Sequence, residues 1–430
     1  MSSNLKVLVI GAGLGGLTLA ILLEQAGIPF IVIEKRPDIS PMGSSISINQ
    51  AVQPFFEQLG MLQEIEAISK PIQCMTFLKE SMAKIGSLDL YSDALRITDR
   101  PSLYRLLLSR ISPHNVVLDK KVVDIQQDKN NAIVRCSDGT VLQADIVVGA
   151  DGAYSSVRRC LFRDLEVKGL LPKVDKLPLS VDQQCLVGVT DPIDPLYFPD
   201  LKQETSDMMV VVGKDKPYSW WLIPLKGNRL AWRVTYNMPS VELRPGYLVN
   251  SSDWGPDRVD EMIEACRDFV CPYGGTLGDI FDQTPRGRIS QVLLEEKGAA
   301  QAMLDAISLA NMLYEIPTTS MNDIQTVFEA YRNERAALGK AAVRGSRQMG
   351  RWSSGRTWSE SVVRTMFLNM VPAKIQQQIA DKIFYIRPQA TFLPFVEDRG
   401  SYKAKPQKPS ARMRTLTGPC LRHQARSECV

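Results

Sequence analysis

No stretch constrains this chain's fold more than Lys6 to Glu34. Lys6-Val7-Leu8-Val9-Ile10 is a short apolar run of buried-strand type, and Gly11-Ala12-Gly13-Leu14-Gly15-Gly16 follows at once. Leu17 to Ala26 reads as a helix, and Phe30-Ile31-Val32-Ile33 as a second strand ending in Glu34. This order predicts a dinucleotide-binding βαβ unit. Gly11 permits the tight turn, Gly13 lets a pyrophosphate approach the backbone, and Gly16 lets helix and strand pack closely. The helix's free N–H groups and positive end suit that pyrophosphate. Glu34 lies where a carboxylate accepts a hydrogen bond from a ribose 2′-OH, and Lys35, next in the chain, is grouped with it. These residues argue for an adenosine-diphosphate moiety without choosing between NAD and FAD.

With 430 residues the chain is long enough for two or three domains. Its net charge of +4 is concentrated at one end: Glu397 to Val430 holds eight Lys or Arg and three acids, which leaves the rest near −1. Such a body offers no basic surface for nucleic acid. The eight cysteines form no C-x-x-C pair, and the only histidines are His114 and His423, so no metal site is expected. No apolar run is long enough to span a bilayer. The expected compartment is cytoplasmic, with peripheral membrane contact left open.

Further along, Ser45 to Ile48 alternates as a short strand, Ala51 to Leu62 suits a helix, and Met75 to Tyr91 suits strands of a second layer. Pro101 is well placed in the first turn of a helix beginning at Arg100. From Leu179 to Tyr236 longer strands with Pro and Gly punctuation predict an inserted antiparallel sheet. Helices are expected over Arg258–Phe269, around Met303–Ala310 and Ile324–Tyr331, and between Arg364 and Tyr385. The Lys- and Arg-rich tail beyond Phe395 is expected to be disordered.

At Asp145-Ile146-Val147-Val148-Gly149-Ala150-Asp151-Gly152 a strand ends in a turn, and Ala153 to Arg158 opens a helix with a basic residue. Ligands bind at the carboxyl ends of such parallel strands. Taken with the glycine fingerprint and with Arg100, Leu103 and Leu107, this order of motifs resembles the FAD-dependent monooxygenases of the aromatic hydroxylase type. That group includes salicylate hydroxylases and fungal secondary-metabolite epoxidases and hydroxylases. The resemblance implies FAD contacts at Gly11, Gly13, Gly16, Glu34, Lys35, Gly43, Ser47, Arg100, Asp151, Gly152 and Arg158. It implies NADPH or NADH as reductant, and molecular oxygen and a small aromatic or polyunsaturated molecule as substrates. A flavin C4a-hydroperoxide would transfer one oxygen atom. The cofactor carries this chemistry, and no catalytic base is assigned. Trp220, Trp221, Leu222 and Trp232 are candidates for the substrate lining, although strand aromatics more often form core.

One departure stands out. The resemblance implies a later strand followed by a Gly-Asp motif and a proline loop, yet Ile289 to Lys297 runs straight into Gly298-Ala299-Ala300. Either a segment has been lost between Lys297 and Gly298, or Val292-Leu293-Leu294 is a degenerate strand with Glu295 in place of the aspartate. The first reading fits better, because no room remains for the loop. Gln291 to Leu294 would then move in as a substitute strand, and Gly298 and Ala299 would still present helix N–H groups to the flavin. Ribityl contacts would be weakened; the alternative function is a catalytically silent relative or truncated isoform retaining the ADP half-site.

The expected fold is α/β: a Rossmann-like FAD/NAD(P)-binding domain, an inserted, mostly antiparallel substrate sheet, and C-terminal helices. The FAD-binding segments are 1–75, 99–165 and 276–350. Residues 76–98 and 166–275 form the substrate layers, 351–395 the C-terminal helices, and 396–430 the tail.

Overall fold

The computed structural model describes residues 5–39, 45–90, 95–128, 131–176, 179–213, 217–243, 259–293, 298–354, 357–383, 385–397 and 403–412. Strand β1 (Val7–Ile10), helix α1 (Leu14–Gln25) and strand β2 (Phe30–Ile33) form the opening unit, with Ile10 opposite Ile33 in parallel register. Strand β3 (Ser45–Ile48) follows. Two short helices, α2 (Gln53–Gln58) and α3 (Leu62–Ile68), replace the single helix expected over Ala51–Leu62. The break falls at Gly60, whose φ of 67° is a left-handed helix terminator.

Strands β4 (Lys70–Lys79), β5 (Lys84–Asp89) and β6 (Arg96–Asp99) lead into α4 (Arg100–Leu108). Then come β7 (Val116–Val117), the meander β8 (Val122–Gln127), β9 (Ala132–Cys136) and β10 (Val141–Ala144), then β11 (Ile146–Gly149) and α5 (Ser156–Val167). The inserted region holds β12 (Leu179–Val189), β13 (Ser206–Val212), β14 (Tyr218–Leu225) and β15 (Arg229–Leu243). Helices α6 (Asp260–Cys266) and α7 (Leu277–Asp282) and strand β16 (Ser290–Leu293) complete it. The chain continues through α8 (Ala299–Glu315), α9 (Met321–Ser354), α10 (Trp358–Met370) and α11 (Ala373–Ile383).

The first sheet is parallel, in the order β11-β1-β2-β7. Successive side chains of a strand point to opposite faces, so Val7 and Val9 enter the core shared with α1, α4 and α8, while Leu8 and Ile10 pack under the meander. Every residue of β1 is buried, as a strand covered on both faces requires. The second sheet runs β16-β12-β15-β14-β13-β4-β6-β3, with β5 also on β4. It is antiparallel except where β13 meets β4. Its back face packs on α6 and α7; its front face receives Leu368 of α10.

Three expectations need correction. Residues Ser290–Leu293 do form a strand, but β16 pairs antiparallel with β12, Val187 opposite Ser290, and does not enter the parallel sheet. Strand β12 is long and has β15 on one side only; its open edge takes the short strand. Strand β11 is consequently left with β1 as its only strand neighbour among the described residues. Second, Leu277, Ile280 and Ile289 belong to the substrate-sheet core, so that domain runs on to Leu293 and the third FAD-domain segment begins at Gly298 rather than 276. Third, Lys403–Arg412 of the tail packs back on the body of the protein. Ser410 N–H donates to Thr391 O (2.8 Å), Arg412 donates to Ile316 O, and its guanidinium lies over the Tyr314 ring.

Candidate functional site

Parallel register with Ile10 opposite Gly149 sets the carboxyl ends of β1 and β11 side by side. The glycine fingerprint and the Asp151-Gly152 turn therefore touch. Gly11 has φ of 107°, and a Cβ there would lie 2.6 Å from Ala150 O and 2.8 Å from the Asp151 Cα. A Cβ on Gly16 would lie 2.0 Å from Gly11 O, so the helix can approach the turn only as glycine. Gly13 caps α1 without a side-chain hydrogen bond, and no acid stands in the first turn. The positive helix end is left open for an anion. Glu34 curls back over this turn: Ala12 N–H donates to one carboxylate oxygen (2.9 Å) and Arg36 N–H to the other (3.2 Å). Lys35 beside it is exposed.

Arg100 comes to the same place through its helix. Its guanidinium donates to the Tyr104 hydroxyl (3.2 Å) and lies 5.4 Å from the centroid of that ring. The Tyr104 hydroxyl is in turn 3.7 Å from where a Gly13 Cβ would stand. Tyr104 was not anticipated; its spacing of four from Arg100 on one helix face was the available signal. Asp99 was also missed. It caps α4, accepting from Ser102 N–H (2.9 Å) and the Ser102 hydroxyl (2.8 Å), and pairs with Arg229 of β15 (2.8 Å). Burial opposes its charge, but Arg229 and the Ser102 bonds together hold its carboxyl below the usual range.

On the other side of the crevice, one Asp151 oxygen accepts from Ser156 N–H (2.6 Å) and Val157 N–H (3.3 Å), fixing the start of α5. The other oxygen is buried and has no hydrogen-bond partner in the structure, which is the state of a group waiting for a ligand donor. Gly152, with φ of 78°, has nothing near its Cβ position. Arg158 turns back to donate to Ala153 O, which braces the turn. Gly298 caps α8 in open space, and α8 presses on α1, with a Gly15 Cβ position 2.9 Å from Ala302 Cβ. Ala299 packs against the same core. Ser47 lies exposed on β3 opposite Ile97, two positions from the Asp99 register. Gly43 lies outside the described residues.

The substrate-lining candidates separate by face. Trp220, Leu222 and Trp232 point to the back and pack with α6 and α7. The Trp220 indole N–H donates to Val270 O (3.0 Å) and the Trp232 N–H to the Thr284 hydroxyl (2.9 Å). They are core. Trp221 alone points to the front, with Met208, Val210 and Ile223. Arg233 lies over its ring at 5.5 Å and donates to the Thr235 hydroxyl (3.1 Å).

An open helix end, a glycine-lined turn, an acid at the end of β2 and an unpartnered buried carboxylate oxygen fit an adenine dinucleotide. The FAD binding domain family model matches residues 4–237. The chain is 32% identical over 362 residues to the FAD-dependent monooxygenase penE of Penicillium thymicola, covering 77% of this chain and 76% of that one. It is 25% identical over 429 residues to the FAD-dependent monooxygenase ausM of Aspergillus calidoustus, covering 93% and 90%. Among solved structures, Klebsiella pneumoniae HpxO complexed with FAD and uric acid superposes with a TM-score of 0.69 at 18% identity, covering 89% of this chain and 97% of that one. The 2,6-dihydroxypyridine-3-hydroxylase of Arthrobacter nicotinovorans gives 0.61 at 19%, covering 83% and 95%. These two share the fold. The protein is an oxidoreductase of the FAD-binding-domain class, and it belongs to the FAD-dependent monooxygenase family of the aromatic hydroxylase type.

Proposed function

We propose that the protein uses NADPH or NADH and dioxygen to insert one oxygen atom into an electron-rich aromatic or polyunsaturated small molecule, in the cytoplasm. The observation that carries this reading is the ion pair between Asp99 and Arg229. It ties the helix bearing Arg100 to the sheet that carries Arg233 and Trp221, which supports a cofactor crevice and a substrate surface that adjoin. When bound, FAD supplies the reductive activation of dioxygen.

The chain's own groups bind and orient. The α1 N-terminus and Gly13 receive the pyrophosphate, and Glu34 receives the ribose. Arg100, braced by Tyr104, adds a positive charge beside them. Asp151, with its free oxygen, would accept a hydrogen bond from the cofactor, and the backbone N–H groups of Gly298 and Ala299 would offer it a second positive helix end. Trp221, Met208 and Ile223, which are buried but retain a little exposure, would form the dry apolar floor beneath the substrate. Arg233, with no described carboxylate in ion-pair distance, orients a polar group of the substrate. The hydroxylase of 2,6-dihydroxypyridine and the uric acid complex of HpxO support an electron-rich ring as the substrate class.

A second reading is favoured by the open edge of β11: a relative that keeps the ADP half-site but holds the flavin poorly. Both are tested by loading purified protein with FAD, then following NADPH and NADH oxidation with phenolic and polyprenyl substrates under labelled dioxygen. Label in the product supports the monooxygenase. Protein that fails to retain FAD in stoichiometric amount and never consumes either nucleotide would sink it in favour of that relative.

A further inference from the structure

The outer surface of the C-terminal helices is not explained by the monooxygenase site. Helix α10 buries Leu368 and Arg364, and α11 buries Gln376, whose amide donates to Phe367 O and Val371 O (both 2.9 Å). Both helices pack on β5, and Asn369 donates to Ile85 O (2.8 Å). Because the two helices lie on the same strand, their opposite sides face outward together. That outward side is apolar. Trp358 is 82% exposed and Met370 70%, and Val363, Met366, Ile375 and Ile379 are each about half exposed. Positions 363, 366 and 370, and 375 and 379, recur at helical spacing, so each helix presents a stripe rather than scattered residues.

The neighbouring helix supplies charge of one sign. Lys340, Arg344, Arg347 and Arg351 recur on one side of α9 at intervals of three and four and are all exposed. No acid occurs from Arg335 to Ser359. Helix α9 touches α10, and Lys374 adds a further exposed cation in the first turn of α11. An apolar stripe carrying tryptophan and methionine beside a basic row matches a bilayer surface with anionic headgroups. It does not match a spanning segment, because no described helix is long and apolar enough to cross a membrane.

We propose that α10 and α11 lie in the headgroup region of an anionic phospholipid membrane, with the basic row of α9 against its phosphates. Contact of this kind would let an apolar substrate pass from lipid to the front of the sheet, on which α10 rests through Leu368.

The test is flotation of the full-length protein with vesicles of phosphatidylcholine containing phosphatidylserine, and with vesicles of phosphatidylcholine alone. The expected result is binding to the first, weakened by salt and weaker still to the second. Replacing Trp358, Met366 and Met370 together by Ser should cut the bound fraction roughly tenfold or more. These side chains are exposed, so the variant should keep its melting temperature. Replacing Lys340, Arg344 and Arg351 by Gln should abolish the preference for phosphatidylserine. Absence of binding, or equal binding by the Ser variant, would overturn the proposal. So would sedimentation velocity showing a dimer that the Ser variant dissolves, since a second copy would then cover the face.

Discussion

Arg229, on the inserted sheet, donates to Asp99, which caps the helix carrying Arg100, at 2.8 Å. The side chain of Asp99 is almost fully buried, whereas Arg229 retains a quarter of its exposure. Replacing Arg229 by Met leaves a buried carboxylate without its counter-ion, a loss of about 1–3 kcal/mol in such settings. Because α4 then loses part of its anchoring, the dissociation constant for FAD should rise roughly tenfold. Urea unfolding and flavin fluorescence titration measure the two effects; undiminished FAD affinity would show that the pair does not position Arg100.

The same pair makes stability depend on pH. Arg229 and Ser102 hold the Asp99 carboxyl below its ordinary range. A group depressed on folding contributes stability that is present above its unfolded pKa of about 3.9 and is lost as pH falls through the folded value. The melting temperature should therefore drop as the solution is acidified below about pH 4. Asp99→Asn keeps a capping side chain but no charge, so its own profile should be flatter in that window.

Gly16 and Glu34 test the adenosine half of the site in different ways. An Ala at position 16 places Cβ 2.0 Å from Gly11 O, so Gly16→Ala should yield protein that neither retains flavin nor refolds to the wild-type melting point. Glu34→Gln keeps the shape and removes the charge. Loss of one charge-assisted hydrogen bond costs about 1.5–3 kcal/mol, so FAD affinity should fall by one to two orders of magnitude; because Gln offers only one acceptor to the Ala12 and Arg36 N–H groups, the melting temperature should fall modestly as well. Calorimetric titration with FAD, and with riboflavin phosphate as a control lacking the ribose of adenosine, separates that contact from general damage.

Adjacent tryptophans should behave oppositely. Trp220→Phe removes the indole bond to Val270 O and leaves a void behind the sheet, a loss of about 1–3 kcal/mol, with KM for the substrate unchanged. Trp221→Leu should cost less stability and shift KM, because that ring faces the front with Arg233 above it. Thermal melts and steady-state kinetics on both variants decide; a KM shift in Trp220→Phe alone would reverse the assignment of faces.

What the sequence made legible was local. Lys6 to Glu34 and Asp145 to Arg158 each carry their elements, turn and polar group within one short span, and the structure places their turns in contact. Alternation along β14 implies that Trp220 and Trp221 must part, but only the covering helices α6 and α7 say which is the back. Asp99 and Arg229 are 130 residues apart, and nothing in either stretch announces the other. Ser290–Leu293 could have met either of two sheet edges, β11 or β12, and which of them it pairs with is a property of the assembled fold rather than of the four residues.

That choice has a cost for the cell. Ile146 to Gly149 has no charge, no proline and no bulge, the devices by which proteins discourage edge-to-edge pairing. On its far side this strand presents backbone groups with no strand partner among the described residues. An edge of that kind is a template for pairing with a second chain. Soluble yield should accordingly fall as the concentration of newly made chains is raised.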